Sequence, residues 1–281
     1  MTRPPSGARR SVLVTGSSSG IGLDAAQALR ARGWRVFASC RKAEDCERLR
    51  AEGFDSPRLD LRDAPTIAAA LAEVLGATGG TLDALYNNGA HACPGAVEDL
   101  PTDALRDIFE VNLFGWHDLT RRVLPVMRAQ GGGRVVMCSS VLGLVGVRWR
   151  GAYVATKFAL EGLTDVLRLE MAGTGIQVCL IEPGPIRTRI RDNARAHFER
   201  WIDWQGSPRR TEYESLLHRL YGPARPDRWE LPPSAVSAAL VHALESPRPK
   251  ARYPVTAPTR VVGALRRALP TAALDWVMQK A

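Results

Sequence analysis

At 281 residues, 45% hydrophobic and 24% charged, the chain fits one large α/β domain or two small ones with a substantial core. No window is long and apolar enough to span a bilayer, and Met1 to Arg10 (with Pro4, Pro5, Ser6 and Gly7) reads as a flexible lead-in without a signal peptide's apolar core. The net charge of +9 comes from arginines spread along the chain. That spread excludes a compact basic nucleic-acid footprint and favours anionic ligands or membrane surfaces.

The first apolar run, Ser11 to Val14, leads directly into Thr15-Gly16-Ser17-Ser18-Ser19-Gly20-Ile21-Gly22 and a helical pattern ending at Gly33. Strand, glycine loop and helix in that order make a phosphate-binding turn, because glycines let backbone approach the ligand and free N–H groups open the helix. The spacing is GxxxGxG rather than GxGxxG, so a purely structural turn is the alternative. A second strand, Trp34 to Cys40, ends in Arg41-Lys42, where an NAD site usually offers an acid to the ribose 2′-hydroxyl. Two cations there suit the 2′-phosphate of NADP. A solvated loop is the alternative.

A charged helix from Glu44 to Glu52 precedes a short third strand ending Arg58-Leu59-Asp60-Leu61. Asp60 either accepts a bond from an adenine amine or caps the helix beginning near Ala64. Leu82 to Tyr86 is the fourth strand, closed by Asn87-Asn88-Gly89-Ala90, where small residues let a flat ring approach the backbone. Strands alternating with helices predict a parallel, doubly wound sheet with helices on both faces and ligands beyond the strands' carboxyl ends.

One long helix is expected from about Thr102 to Gln130, with polar Asn112 among apolar neighbours. Strand five, Arg134 to Ser140, again ends in small polar residues. Tyr153 and Lys157 then open a helix over 153–172, four residues apart and so on one face. An ammonium beside a phenol favours phenolate and makes the hydroxyl a usable acid or base. Strand six, Ile176 to Ile181, leaves the sheet through Glu182-Pro183-Gly184-Pro185-Ile186-Arg187-Thr188. From Arg189 to about residue 230 the pattern dissolves into an aromatic-rich stretch. It is expected to be a mobile lid over an apolar substrate, or else a lobe whose aromatics form their own core. After a helix over Ser234 to Glu245, residues 252–256 add an edge strand. The apolar tail 257–281 is a helix that packs on the protein or a subunit, or lies on a membrane surface. The cysteines Cys40, Cys46, Cys93, Cys138 and Cys179 form no metal pattern and point to a reducing, cytoplasmic compartment.

Together TGSSSGIG at 15–22, NNGA at 87–90, the Asn112 region, Ser140, Tyr153 with Lys157 and EPGPIRT at 182–188 resemble the short-chain dehydrogenase/reductase superfamily, in its Tyr-based, NADP-preferring form. The likeness covers about residues 11–190 and continues to 256, making one Rossmann-like domain. It implies that Tyr153 donates the proton to a substrate carbonyl, and that Ser140 rather than Ser139 binds the reacting oxygen. Lys157 would hold the nicotinamide ribose and depress the Tyr153 pKa, while Asn112 would bend its helix and hold a water linking Lys157 to solvent. Gly16, Ser18, Ser19 and Ile21 would face the pyrophosphate, with Asp60 and Leu61 near the adenine. Asn88, Gly89, Ala90, Pro183, Gly184, Ile186 and Thr188 would line the nicotinamide half. Two departures stand out: Gly89-Ala90 where the family has Ala-Gly, and an extra Pro185.

The expected activity is hydride transfer between NADP(H) and an apolar aldehyde or ketone, by a homo-oligomer that needs no metal. The alternatives are an NAD-dependent alcohol dehydrogenase acting on a retinoid, steroid or lipid alcohol, a non-catalytic NADP-sensing protein, and a dehydration or epimerisation on the same fold.

Overall fold

A computed structural model describes residues 9–223 and 228–280. The expected lead-in over 1–10 lies, apart from Arg9 and Arg10, outside the described residues. Six strands form one sheet: β1 (Ser11–Val14), β2 (Arg35–Ala38), β3 (Ala84–Asn87), β4 (Gly133–Cys138), β5 (Ile176–Glu182) and β6 (Arg252–Pro254). Their order is β2-β1-β3-β4-β5-β6, with every pairing parallel. Successive strand residues point to opposite faces, so the unbroken burial of β1, β3 and β4 means that both faces are covered. The covering helices include α1 (Gly20–Ala31), α2 (Ala43–Ala51), α3 (Ala64–Thr78), α4 (Thr102–Phe109), α5 (Gly115–Ala129), α6 (Gly151–Glu170) and α9 (Ser234–Glu245). Among them α1 packs against α9, α3 against α5, and α6 against α4 and β5. The chain order reverses between β1 and β3, and a crevice opens beyond their carboxyl ends at that point.

The expected third strand ending at Leu61 is corrected: only two isolated bridges form there, Phe37 with Asp55 and Cys40 with Arg58. Pro57 has no N–H to donate, which stops a ladder between them. The expected single helix over 102–130 is also corrected. It is α4, a π-helical turn over Glu110–Phe114, and α5. The wide turn lets Gly115 come so close to the Leu61 carbonyl that a Cβ would lie 2.1 Å from its oxygen.

Residues 190–221 are ordered as two helices, α7 (Ile190–Trp201) and α8 (Arg210–Tyr221). Phe198, Tyr213, Ile202, Leu216 and Leu220 are buried in a second small core with Ala92, Ala96 and Ile108. The expected tail helix is two, α10 (Ala257–Ala268) and α11 (Thr271–Gln279), divided at Pro270. Thr256 caps α10 by accepting a bond from the Thr259 N–H. A cluster of charges fixes α6 beneath the sheet edge: Arg252 donates to Glu182 (2.7 Å), Asp165 (2.6 Å) and Glu161. All five cysteines are free and buried. Among the described residues no helix is long and apolar enough to cross a membrane.

Candidate active site

Two cavities of about 730 and 530 Å³ run along the carboxyl edge of the sheet and share Gly16, Ser18, Ser19, Gly89, Ala90, Arg189 and Asn193, so they form one groove. Its floor is a close approach of two loops. Gly16 has φ +69°, and a Cβ there would lie 2.5 Å from the Gly89 Cα. A Cβ on Gly22 would meet the Gly16 carbonyl oxygen at 2.2 Å. Thr15 ties the loops together, its hydroxyl accepting from the N–H groups of Asn88 (2.9 Å) and Gly89 (3.0 Å). The Trp116 indole donates to the Gly89 carbonyl at 2.8 Å and fixes that loop from beneath. At the start of α1, Ser19 occupies the cap position without a side-chain cap bond, which leaves amide donors open to the groove. Backbone stripped of Cβ atoms and unsatisfied helix-end N–H groups fit a dinucleotide diphosphate.

At one end of the groove stand Arg41, Lys42, Asp60 and Leu61. Arg41 and Lys42 are exposed. Asp60 does not cap α3, whose cap position is Asp63. Its carboxylate instead accepts from the Arg62 N–H at 3.0 Å in a tight turn. At the other end lie Ile21, Asn88, Ser140, Tyr153, Lys157, Pro183, Gly184, Ile186 and Thr188. The sequence-predicted residues are therefore brought together along one groove, with one exception. Asn112 is fully buried behind the wall, where it accepts from the His91 N–H (3.1 Å) and donates to the His91 carbonyl (2.9 Å). It sits in the π turn and positions the backbone after Ala90 without reaching the groove.

Ser140 follows β4, and its oxygen accepts from the Leu142 N–H at 3.1 Å. Its side chain faces the Tyr153 hydroxyl and favours phenolate, whereas Ser139 faces Glu161. Lys157 is 1% exposed and donates to the Cys138 carbonyl at 2.8 Å. Its ammonium lies 4.5 Å from the Trp116 ring centre and 5.4 Å from that of Tyr153. Burial dominates both titrations. The Tyr153 phenol is pushed up, with Ser140 and Arg150 opposing, and Lys157 is lowered to about 8. The expected depression of the phenol pKa by Lys157 is not seen: burial pushes the phenol up, and the groups that oppose it are Ser140 and Arg150.

Sequence reasoning missed a clamp at the groove's edge. His91 and His197 of α7 stack with ring centres 3.8 Å apart. Asp107 lies 3.3 Å from His91 Nε2 and is held by two bonds from Arg62, at 3.1 and 3.0 Å. The ligand-type atoms of His91, Asp107 and His197 lie within 4.8 Å of one another. Parallel rings and a carboxylate already gripped by Arg62 suit a mechanical join between α4 and α7 better than a metal. Burial, His197 and Arg62 lower His91 to about 3, so its ring stays neutral. A histidine after Asn-Asn-Gly-Ala was the available signal, but its partner is 106 residues away.

Sheet order and groove together place the molecule among the short-chain dehydrogenases and reductases. The sequence profile of the short chain dehydrogenase family matches residues 10–199, and the chain belongs to that family. It is 40% identical over 271 residues to the oxidoreductase YbbO of Escherichia coli, covering 96% of this chain and 94% of the relative. It is 32% identical over 282 residues to the NADPH-dependent 3-dehydrocapnine reductase of Ornithobacterium rhinotracheale, covering 96% of each. A short-chain dehydrogenase structure from Streptomyces avermitilis superposes with a TM-score of 0.77 at 32% identity, covering 98% of this chain and 95% of that one. The chain is an oxidoreductase of this family.

Proposed function

We propose that the chain is an NADP(H)-dependent reductase of aldehydes or ketones on a largely apolar skeleton. The observation that carries this reading is the convergence of Ser140, Tyr153 and Lys157 on the cavity that continues into the glycine-lined groove. Bound nicotinamide nucleotide supplies the hydride that reduces the carbonyl carbon. Gly16, Ser18, Ser19 and Ile21 hold its diphosphate, Asp60 and Leu61 flank the adenine, and Asn88, Gly89, Ala90, Pro183, Gly184, Ile186 and Thr188 hold the nicotinamide half. Ser140 orients the carbonyl oxygen, and Tyr153 gives it a proton as negative charge develops there. The Lys157 ammonium, besides holding the ribose, stabilises the phenolate left behind. Asn112 acts through His91 as a positioning residue.

Residues 11–256 make up the catalytic domain, 189–230 its substrate lid and 257–281 its tail. The lid contributes Arg189, Ile190, Arg191 and Asn193 to the cavity wall, and Ala92, Val141, Leu142 and Pro185 supply further apolar surface. Its aromatics face their own core, so the apolar lining comes from aliphatic side chains. A homo-oligomer fits the exposed Leu163, Val166 and Leu169 on α6.

Arg41 and Lys42 favour NADP because a 2′-phosphate there meets two cations. The NADPH-dependent relative from Ornithobacterium rhinotracheale supports that choice. Replacing both by alanine is expected to weaken NADPH binding about 30-fold and NADH binding far less, as read by fluorescence titration. Tighter binding of NADH than NADPH by the unaltered protein contradicts the assignment.

In the reductive direction kcat/KM is expected to decline as pH rises through about 8. Lys157 then loses the charge that stabilises phenolate, while the elevated phenol keeps its proton. A pH–rate profile flat from 7 to 10 contradicts this.

A further inference from the structure

Arg150 stands at the cap position of α6, three residues before Tyr153, and lines the same cavity as Ser140 and Tyr153. Its backbone is held with unusual firmness. Trp149 is the one non-glycine residue with positive φ (+68°) among the described residues. Its ring packs on Tyr213 with centres 4.8 Å apart, and its carbonyl accepts from the Gly95 N–H at 3.0 Å. Backbone strain of this kind persists only where the surroundings impose it, and here it aims the next side chain. Arg148, two residues earlier, has found a carboxylate in Glu212. Arg150 has none: among the described residues no side chain forms a hydrogen bond or ion pair with its guanidinium. The cavity around it is lined by Arg150, Lys157, Arg189 and Arg191 and by no Asp or Glu. Burial first and then Arg219 lower the Arg150 pKa, with Tyr153 opposing.

We infer that Arg150 is a substrate-anchoring residue, and that the preferred substrate is an amphiphilic carbonyl compound carrying a carboxylate or similar oxyanion. A planar guanidinium presents paired donors that match such a group. With the anion held at residue 150, the carbonyl is delivered one helical turn further on, at Tyr153. The inference rests on the reductase reading for the carbonyl but not for the anion, so the two are separable by experiment.

The binding arm is calorimetry on the NADPH-loaded protein with decanoate and its neutral analogue decanamide. Decanoate is expected to bind at least about tenfold more tightly, a preference lost in Arg150→Gln and partly restored in Arg150→Lys. Equal binding of the two by the unaltered protein, or an unchanged preference in Arg150→Gln, overturns the inference. The turnover arm compares a 4-oxo fatty acid, whose carbonyl lies a few bonds from its carboxylate, with its methyl ester by NADPH oxidation. The acid is expected to show the lower KM, and the acid-to-ester ratio of kcat/KM is expected to fall about 10- to 100-fold in Arg150→Gln. A ratio that stays fixed while both rates fall assigns Arg150 a merely structural part and contradicts the anchor. Decanoate binding that depends on Arg150, without reduction of either carbonyl, upholds the anchor and defeats the reductase reading.

Discussion

Tyr153→Phe is expected to lower kcat/KM for carbonyl reduction by about 10³-fold while NADPH affinity stays within about threefold. The substitution removes one oxygen and leaves the ring, which is 8% exposed against Ala92, Ala96 and the α7 and α8 side chains. Its effect should therefore fall on kcat far more than on folding or cofactor binding. The phenol's elevated pKa keeps the proton in place until the carbonyl oxygen acquires charge, and Ser140 alone has no comparable acid to offer. Steady-state NADPH oxidation beside a fluorescence titration of NADPH separates the two quantities. Equal rates in the variant would remove the proposed acid.

Lys157→Met is expected to cost at least about 10²-fold in kcat/KM, to weaken NADPH binding, and yet to leave the melting temperature unchanged or higher. Activity and stability part ways because the ammonium is buried with one strong protein partner, the Cys138 carbonyl. The sign follows from linkage. The folded chain holds this proton less firmly than the unfolded one, with a pKa of about 8 against an ordinary 10.5. Below pH 8 the penalty for burying the charge is complete. Between about 8 and 10.5 the unfolded chain binds the extra proton, so this group makes stability rise with pH there. Thermal melts at pH 7 and 9 should therefore differ less in Lys157→Met than in the parent. A variant that melts well below the parent at pH 7 would show that the ammonium is there to stabilise the fold.

Features set by backbone needs were readable from residue order. The glycines at 16, 20 and 22 announce a turn where two loops nearly touch, and the run of small residues after β3 and β4 marks the groove edge. Tyr153 and Lys157 were readable too, since four-residue spacing fixes their shared face whatever surrounds them. What escaped depended on distant partners. The π turn at Asn112 arises where Gly115 presses on Leu61, a contact between segments more than 50 residues apart. The helices α7 and α8 carry helical spacing, with Ala194 and Phe198 on one face of α7 and Tyr213, Leu216 and Leu220 on one face of α8, but the core they join with Ala92, Ala96 and Ile108 lies far away in sequence. Desolvation of Tyr153 and Lys157 was equally invisible, since spacing gives proximity but not depth. Arg150 looks like one more arginine in a basic chain until three dimensions show that no carboxylate among the described residues pairs with it.

The central claim is that a carbonyl is reduced at Tyr153 by hydride from NADPH, and isotope transfer tests it most directly. With NADPH deuterated at the transferable position and a medium-chain aldehyde, mass spectrometry of the alcohol should find one deuterium on the carbinol carbon, and none above background with Tyr153→Phe. An alcohol formed without label, or label transferred equally well by the variant, would contradict it.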